Sequence, residues 1–402
     1  MLKILLCLIS FDFLKLMSEY SNQAAPEWDY RLESSIESRL FTRTPKFSSQ
    51  QQTETAFRTE GSISYSWDDD RSVAIFSPYV YFNSPDHEKN HYDIREAIYI
   101  GAFGAWDLRV GIGQVFWGVT ESQHLIDVVN QTDGVQNIDG EDKLGQPMIN
   151  PSLVTDWGTF SVFFLPYFRE QTFPHSKSRL RTDIVILQDE TSYEHDKEQN
   201  HWDYAGRYSV TIDDFDLGLS FFNGTDRDPE FKVGLSGTQL VLRPHYIQTT
   251  QYGLDMQYIW DNWLFKFEGI VKDRHFSRPY IATAGGFEYT FSNIWGGRDI
   301  GVLAEHLYDE RKDNGETFFY DHTFVGARLA YNDENSFEVL AGVTINNERG
   351  TISSFRWESN RRINSNWKWE LEANIIVEGQ KQQLIYQLKD DDYIQFSIQY
   401  FL

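Results

Sequence analysis

From Trp28 onward the even positions read Trp28, Tyr30, Leu32, Ser34, Ile36, Ser38 and Leu40, and the odd positions Asp29, Arg31, Glu33, Ser35, Glu37 and Arg39. A period of two sustained over that length outruns an ordinary globular strand and is too regular for a helix. The alternation returns in the opposite parity, with Phe57, Thr59, Gly61, Ile63, Tyr65 and Trp67 set against Arg58, Glu60, Ser62, Ser64 and Ser66. It recurs at Trp367, Trp369, Leu371, Ala373, Ile375 and Val377, and at Trp263, Phe265, Phe267, Gly269 and Val271 opposite Lys266, Glu268 and Lys272. Residues 240–260 read as one further long strand. Aromatic residues gather near the ends of these runs, where amphipathic rings favour a membrane interface.

The links between the runs alternate in length. Short turns are expected at Asp68-Asp69-Asp70, Gly104-Ala105, Asp213-Asp214, Asp261-Asn262 and Asn332-Asp333-Glu334. Long polar segments fall at 43–54, 84–91, 117–150, 169–199, 224–239, 273–280, 309–319 and 379–390. In an up-and-down barrel this places the tight turns at one rim and the long loops at the other. The expected fold is all-β: a transmembrane antiparallel up-and-down β-barrel of about eighteen strands, within a range of about 16–18. It would form one domain over 26–402, with 117–150 as an inserted or capping loop.

The last segment places Ile394, Phe396, Ile398, Tyr400 and Leu402 on one face. Here the chain resembles Gram-negative outer-membrane β-barrels of porin-like type, whose closing strand carries alternating apolar residues. The usual final Phe or Trp is replaced by Leu402, preceded by Phe401. The resemblance implies a bacterial outer-membrane location, contact with lipid and lipopolysaccharide, and recognition of the last strand by the barrel-assembly machinery. Physically, that strand must pair with the first, because an open edge in lipid leaves backbone groups unsatisfied.

Composition narrows the alternatives. The 402 residues carry 36 Lys and Arg against 60 Asp and Glu, a formal charge of −24, which argues against a nucleic-acid partner. Aromatics reach 16 %, which argues against disorder. At the N-terminus, Lys3, an apolar run over 4–14 broken by Asp12, and Ala24-Ala25 read as a signal peptide over 1–25. The single cysteine, Cys7, lies inside it, so a cleaved chain would have neither disulfide nor thiolate metal site.

A barrel of this width encloses an aqueous lumen. The expected lumen charges include Arg31, Arg58, Arg109, Arg207, Lys266, Glu268, Arg328, Arg356 and Glu370; many of the inward charges would pair across strands and stiffen the wall. Within 117–150, Thr120-x-x-Gln123 has the form of a capping box, and Leu125, Ile126, Val128 and Val129 recur at helical spacing. The expectation is a short amphipathic helix with Glu121, His124 and Asp127 facing water. A loop this apolar is expected to fold into the barrel and narrow it, as constriction loops do in general porins, with Glu121, His124, Asp127 and Asp133 as constriction candidates. The stretch Gly113-Gln114-Val115-Phe116-Trp117-Gly118 resembles a strand-end motif of porin-like families. The alternative placement is an outer lid on the barrel mouth.

Asp133, Asp139, Glu141 and Asp142 offer hard oxygen ligands but not the EF-hand spacing, so a solvated acidic loop is expected. Glu194, His195, Asp196, Glu198 and His201 read the same way. No cofactor is expected beyond weakly bound divalent cations at such loops. No G-x-S-x-G occurs, and no catalytic residue is assigned. The functional expectation is a passive channel for small polar solutes. A surface receptor or adhesin is the alternative, and an outer-membrane hydrolase is further behind.

Overall fold

The structure, a computed structural model, describes residues 26–402 apart from 85, 138, 312–316, 318 and 378–383. The signal-peptide expectation lies outside the described residues. In chain order the strands are β1 (Glu27–Phe41), β2 (Thr53–Trp67), β3 (Ser72–Ser84), β4 (His91–Phe103), β5 (Trp106–Gly113), β6 (Gln146–Thr155) and β7 (Gly158–Leu165). There follow β8 (Val185–Ile186), β9 (Ser192–Tyr193), β10 (Asp203–Ile212), β11 (Phe215–Thr225), β12 (Glu230–Ser236), β13 (Gln239–Tyr246) and β14 (Gln248–Trp260). The last are β15 (Trp263–Arg274), β16 (Tyr280–Ile294), β17 (Arg298–Asp309), β18 (Asp321–Tyr331), β19 (Glu338–Asn346), β20 (Thr351–Arg362), β21 (Trp367–Ile376) and β22 (Tyr393–Phe401).

Eighteen of these form one closed antiparallel sheet; β8, β9, β12 and β13 form a separate small sheet at the loop rim. Closure is made by β1 against β22, in register from Glu33↔Phe401 to Phe41↔Tyr393. Leu32 and Leu402 extend the seam by exchanging backbone hydrogen bonds of 3.1 and 3.0 Å. The C-terminal Leu therefore takes part in the ladder as an aromatic residue would.

The alternation read from sequence sets the two faces. Trp28, Tyr30, Ile36 and Leu40 are all exposed on the outer wall of β1, as are Phe57 and Ile63 on β2. Such a row is stable only against hydrocarbon. Rings meet in pairs around the turn rim, at 4.6 Å for Trp28–Tyr65, 5.0 Å for Trp157–Phe160, 4.8 Å for Trp263–Tyr289 and 5.0 Å for Trp367–Tyr400. They form the interfacial girdle expected of a membrane barrel. The turns use aspartate at left-handed positions, Asp213 at φ 51° and Asp261 at φ 55°. Short polar side chains tolerate this conformation and close two-residue hairpins.

One strand assignment is corrected. Residues 240–260 are two elements, because the chain leaves the barrel after β11, makes the β12–β13 hairpin, and re-enters at Gln248. The break is at Ile247, between the end of β13 at Tyr246 and the start of β14 at Gln248; its carbonyl accepts from Asp226 N, one residue past β11, at 2.8 Å. The alternation of turns and loops survives, since the hairpin belongs wholly to the β11–β14 loop.

Candidate functional site

The inserted loop is 114–145, a few residues earlier than the expected 117–150, because β5 ends at Gly113 and β6 begins at Gln146. It leaves the wall at β5 and reaches β18 on the far side of the sheet, where Glu121 pairs with Arg328 at 2.8 Å. Lys266 of β15 lies 3.8 Å from the same carboxylate. Arg328, Lys266 and their neighbours Glu268 and Glu305 sit well inside their strands. The loop therefore crosses the lumen at mid-barrel rather than covering the mouth.

Two wall carboxylates hold it there. Glu268 Oε1 accepts from Val119 N at 2.7 Å, Thr120 N at 3.0 Å and the Thr120 hydroxyl at 2.8 Å, and Oε2 accepts from Ile126 N at 3.3 Å. Glu305 accepts from Glu121 N at 2.8 Å, Ser122 N at 2.8 Å and the Ser122 hydroxyl at 2.6 Å. These amides would have started the expected helix. With their hydrogen bonds given to the wall, no helix forms over 120–129, and the capping-box reading is overturned. Glu268 is fully buried beneath the loop, so it anchors the loop rather than facing the lumen.

The apolar half of the loop has its own partner surface. Trp117, Ile126, Val128 and Val129 pack with Met148, Phe163, Leu165, Phe222, Ile270 and Ala282 from the inner face of β6–β16. Gly253 on β14 makes room, since a Cβ there would meet Ile126 Cγ2 at 3.0 Å. Arg207 of β10 is held by Asp255 through two 2.8 Å bonds, 5.4 Å from the Trp117 ring.

The other constriction candidates divide. His124 faces the lumen edge, with its ring 4.7 Å from Phe116 and its Nε2 3.4 Å from Glu141. Burial works against its charge, but Glu141 and Glu268 outweigh it and raise its pKa to about 10. Asp127, expected to face water, is instead buried, pairing with Lys143 at 3.3 Å and accepting from Trp117 N at 3.3 Å. Asp133 is likewise no pore residue: it is fully buried, 2.7 Å from Arg95, 3.1 Å from His91 and 2.6 Å from the Thr172 hydroxyl. Burial alone would raise its pKa, but His91 and Arg95 hold the carboxyl below its usual range. The solvated-loop reading of the acidic cluster therefore fails at Asp133. Among the described residues, no group of three or more His, Cys, Asp or Glu side chains converges as a metal site.

Among the lumen charges, Arg58 bridges Glu33 at 2.7 Å and Glu37 at 3.4 Å, and Glu370 receives Lys368 at 2.7 Å and Gln399 at 2.8 Å. Arg356 pairs with Glu358. Arg109 is exposed on the inner face of β5 and makes no ion pair among the described residues. Arg31 shares the inward parity of Glu33 on β1 and stands near the turn rim beside Asp29, 3.1 Å away, with its side chain 80 % exposed. The sequence reading missed Glu305 and Arg95. Inward parity on β17 was the available signal for Glu305, but parity does not distinguish a lumen wall from a loop anchor.

Two cavities flank the loop. One, of about 170 Å³, lies between Glu121, Asp139 and Glu141 on the loop and Arg356, Leu340 and Asn374 on the wall. The second, of about 300 Å³, lies beside Arg58, Glu60, Tyr79 and Asp142.

No family model and no curated protein matches the chain. Among solved structures it is similar to Wzi of Escherichia coli, described as an outer-membrane protein of group 1 capsule assembly and a carbohydrate-binding β-barrel. That likeness has 11 % identity and TM-score 0.52, over 93 % of this chain and 84 % of the other. OmpT of Vibrio cholerae, an outer-membrane protein in its trimer form, aligns at 8 % identity and TM-score 0.49 over 94 % of this chain and 100 % of that one. A mutant of the Rh. blastica porin aligns at 9 % and 0.46 over the same shares. The chain has the fold of an outer-membrane β-barrel of eighteen strands. This barrel carries a loop folded across its interior, with ion pairs on both sides of the crossing.

Proposed function

We propose that the protein is an outer-membrane channel for passive diffusion of small polar solutes, with a preference for cations. The observation that carries this reading is the mid-barrel crossing, where Glu121 on the loop meets Arg328 on the opposite wall beside water-accessible charged cavities. A charged restriction in a wet lumen sorts solutes by size and sign.

The sign follows from the register. Glu33 lies directly opposite Glu60 on β1–β2, and Glu358 directly opposite Glu372 on β20–β21. Facing like charges cost stability in a sheet, so the carboxylates raise the negative potential of the open lumen at the expense of the wall. The decisive experiment is single-channel recording in planar bilayers, with reversal potentials in a KCl gradient. Discrete conductance with cation-selective reversal is expected; a silent, correctly folded barrel overturns the proposal.

A ligand receptor is the second reading, favoured by the segments that cap the mouth. Residues 166–202 reach from β7 to the far rim, where Arg179 is fully buried and donates to Asp391 at 2.7 Å and to the Asp390 carbonyl at 2.6 Å. Retained ligand binding without conductance would select that reading.

A further inference from the structure

Above the crossing loop lies a third cavity, of about 310 Å³, enclosed by the outer side of 123–137 below and by the cap segments 171–186 and 228–231 above. Its upper wall is apolar. Phe173 and Phe231 meet edge to face at 5.7 Å, and Ile186 and Leu180 continue the surface. The β12–β13 register puts Phe231, Val233, Leu235 and Leu240 on one face of the hairpin. Val233 and Leu235 are 66 % and 65 % exposed, so an apolar strip runs from open solvent to the cavity.

One cation on this wall lacks a counter-charge. Arg181 is 9 % exposed. Its Nε donates to the Ser176 carbonyl at 3.2 Å, and its Nη1 to the carbonyls of Thr182 at 2.7 Å and Asp183 at 3.1 Å. The guanidinium lies over Phe47 at 4.2 Å. Among the described residues, no hydrogen bond or ion pair engages Nη2, although Arg181 lines the cavity. Nearby Asp391 and Asp183 are already paired with Arg179 and Lys46. The remaining charges on the wall, Arg311 and Asp228, are matched by Asp309 and Lys272. A buried guanidinium satisfied only by carbonyls favours an anion on its open nitrogen, since buried charges are stable when paired.

We propose that this vestibule binds a small organic carboxylate with an apolar body, its carboxylate on Arg181 and its hydrocarbon against Phe173 and Phe231. The cavity volume stands near the lower end of small-molecule sites, about 300–1,000 Å³, which suits one ring and a short chain. The inference goes beyond the channel reading, because the site lies outside the crossing and needs no current to be detected.

The test is calorimetric titration of the full barrel in lipid nanodiscs with phenylacetate, its neutral counterpart 2-phenylethanol, and acetate. Phenylacetate is expected to bind about tenfold or more tightly than either, the difference a charge-assisted hydrogen bond supplies. Arg181→Gln is expected to remove that advantage and leave 2-phenylethanol unchanged, with folding checked by the heat-dependent gel shift. Phe231→Ser serves if that variant does not fold, and is expected to weaken phenylacetate about fivefold. Equal binding of phenylacetate and 2-phenylethanol overturns the proposal, as does wild-type phenylacetate affinity in folded Arg181→Gln or in Phe231→Ser. Any of these results leaves the channel reading to be judged by conductance alone.

Discussion

The two halves of the inner wall follow opposite rules. Along β6–β16 the inward positions include Met148, Phe163, Leu165, Phe222, Ile270 and the small Ala282, and the inserted loop rests on them as on a core. Along β20–β22, β1 and β2 the inward positions include Arg356, Glu358, Glu370, Glu372, Glu33, Glu37 and Arg58, with Arg58 paired to Glu33 and Glu37, Arg356 to Glu358, and Glu370 to Lys368. The first half obtains its stability from burial of apolar surface, the second from charge pairing that is weaker where solvent screens it. A barrel interior can thus be a packed domain on one side and a conduit on the other. The crossing loop is the boundary between them.

The largest effect is expected from removing that boundary. Deleting 120–145 should raise single-channel conductance severalfold, and an unchanged conductance would place the restriction elsewhere. Next comes the anchor on the packed side. Glu268→Gln replaces an acceptor of four hydrogen bonds by a group that turns donors toward donors, at a cost of about 2–3 kcal/mol to the loop's seating. Noisier open-channel current and a lower unfolding temperature are expected; a quiet channel of wild-type stability would deny Glu268 that role.

A pH titration sharpens the conduit side. Burial, with Asp139 and Asp133 nearby, pushes the Asp142 carboxyl up to about 6. Cation preference should fall as the pH drops from 7 to 5 and this charge is lost, and Asp142→Asn should flatten the profile. For stability the sign is opposite to that of a salt-bridged acid. The folded state holds this proton more tightly than the unfolded chain, so stability is full below the unfolded pKa of about 4 and declines as pH rises through about 6. The smallest effect is expected at the partly exposed pair. Arg328→Gln should change conductance less than about twofold while shifting reversal toward cations; a shift toward anions would reverse the electrostatic argument.

Much of the barrel was legible in the amino-acid order. Thirteen alternating positions in β1, paired aspartates at hairpin tips and the apolar parity from Ile394 to Leu402 each report a local constraint, and local constraints are what a sequence displays. The lumen was less legible. Parity assigned Glu268 to the inside and was right about the face, yet only the fold reveals that residues 119–126 lie on top of it. Asp127 and Asp133 looked like wet loop acids because their partners are reached through space: Lys143, sixteen positions on, for Asp127, and Arg95, on another strand, for Asp133. Residues 240–246 of β13 were merged with β14 because both carry strand-like residues and no Gly or Pro at 247 marks the break, while β12 fell within the expected loop 224–239.

Glu268 and Glu305 grip the crossing segment chiefly by its main-chain amides. Side-chain identity at 119 and 121 is therefore decoupled from this carboxylate grip, with proline the exception, since it has no amide hydrogen to offer. Mutation can repaint the narrowest part of the passage while its frame stays put. Position 121 is thus a natural place to install a new filter, whether in evolution or at the bench.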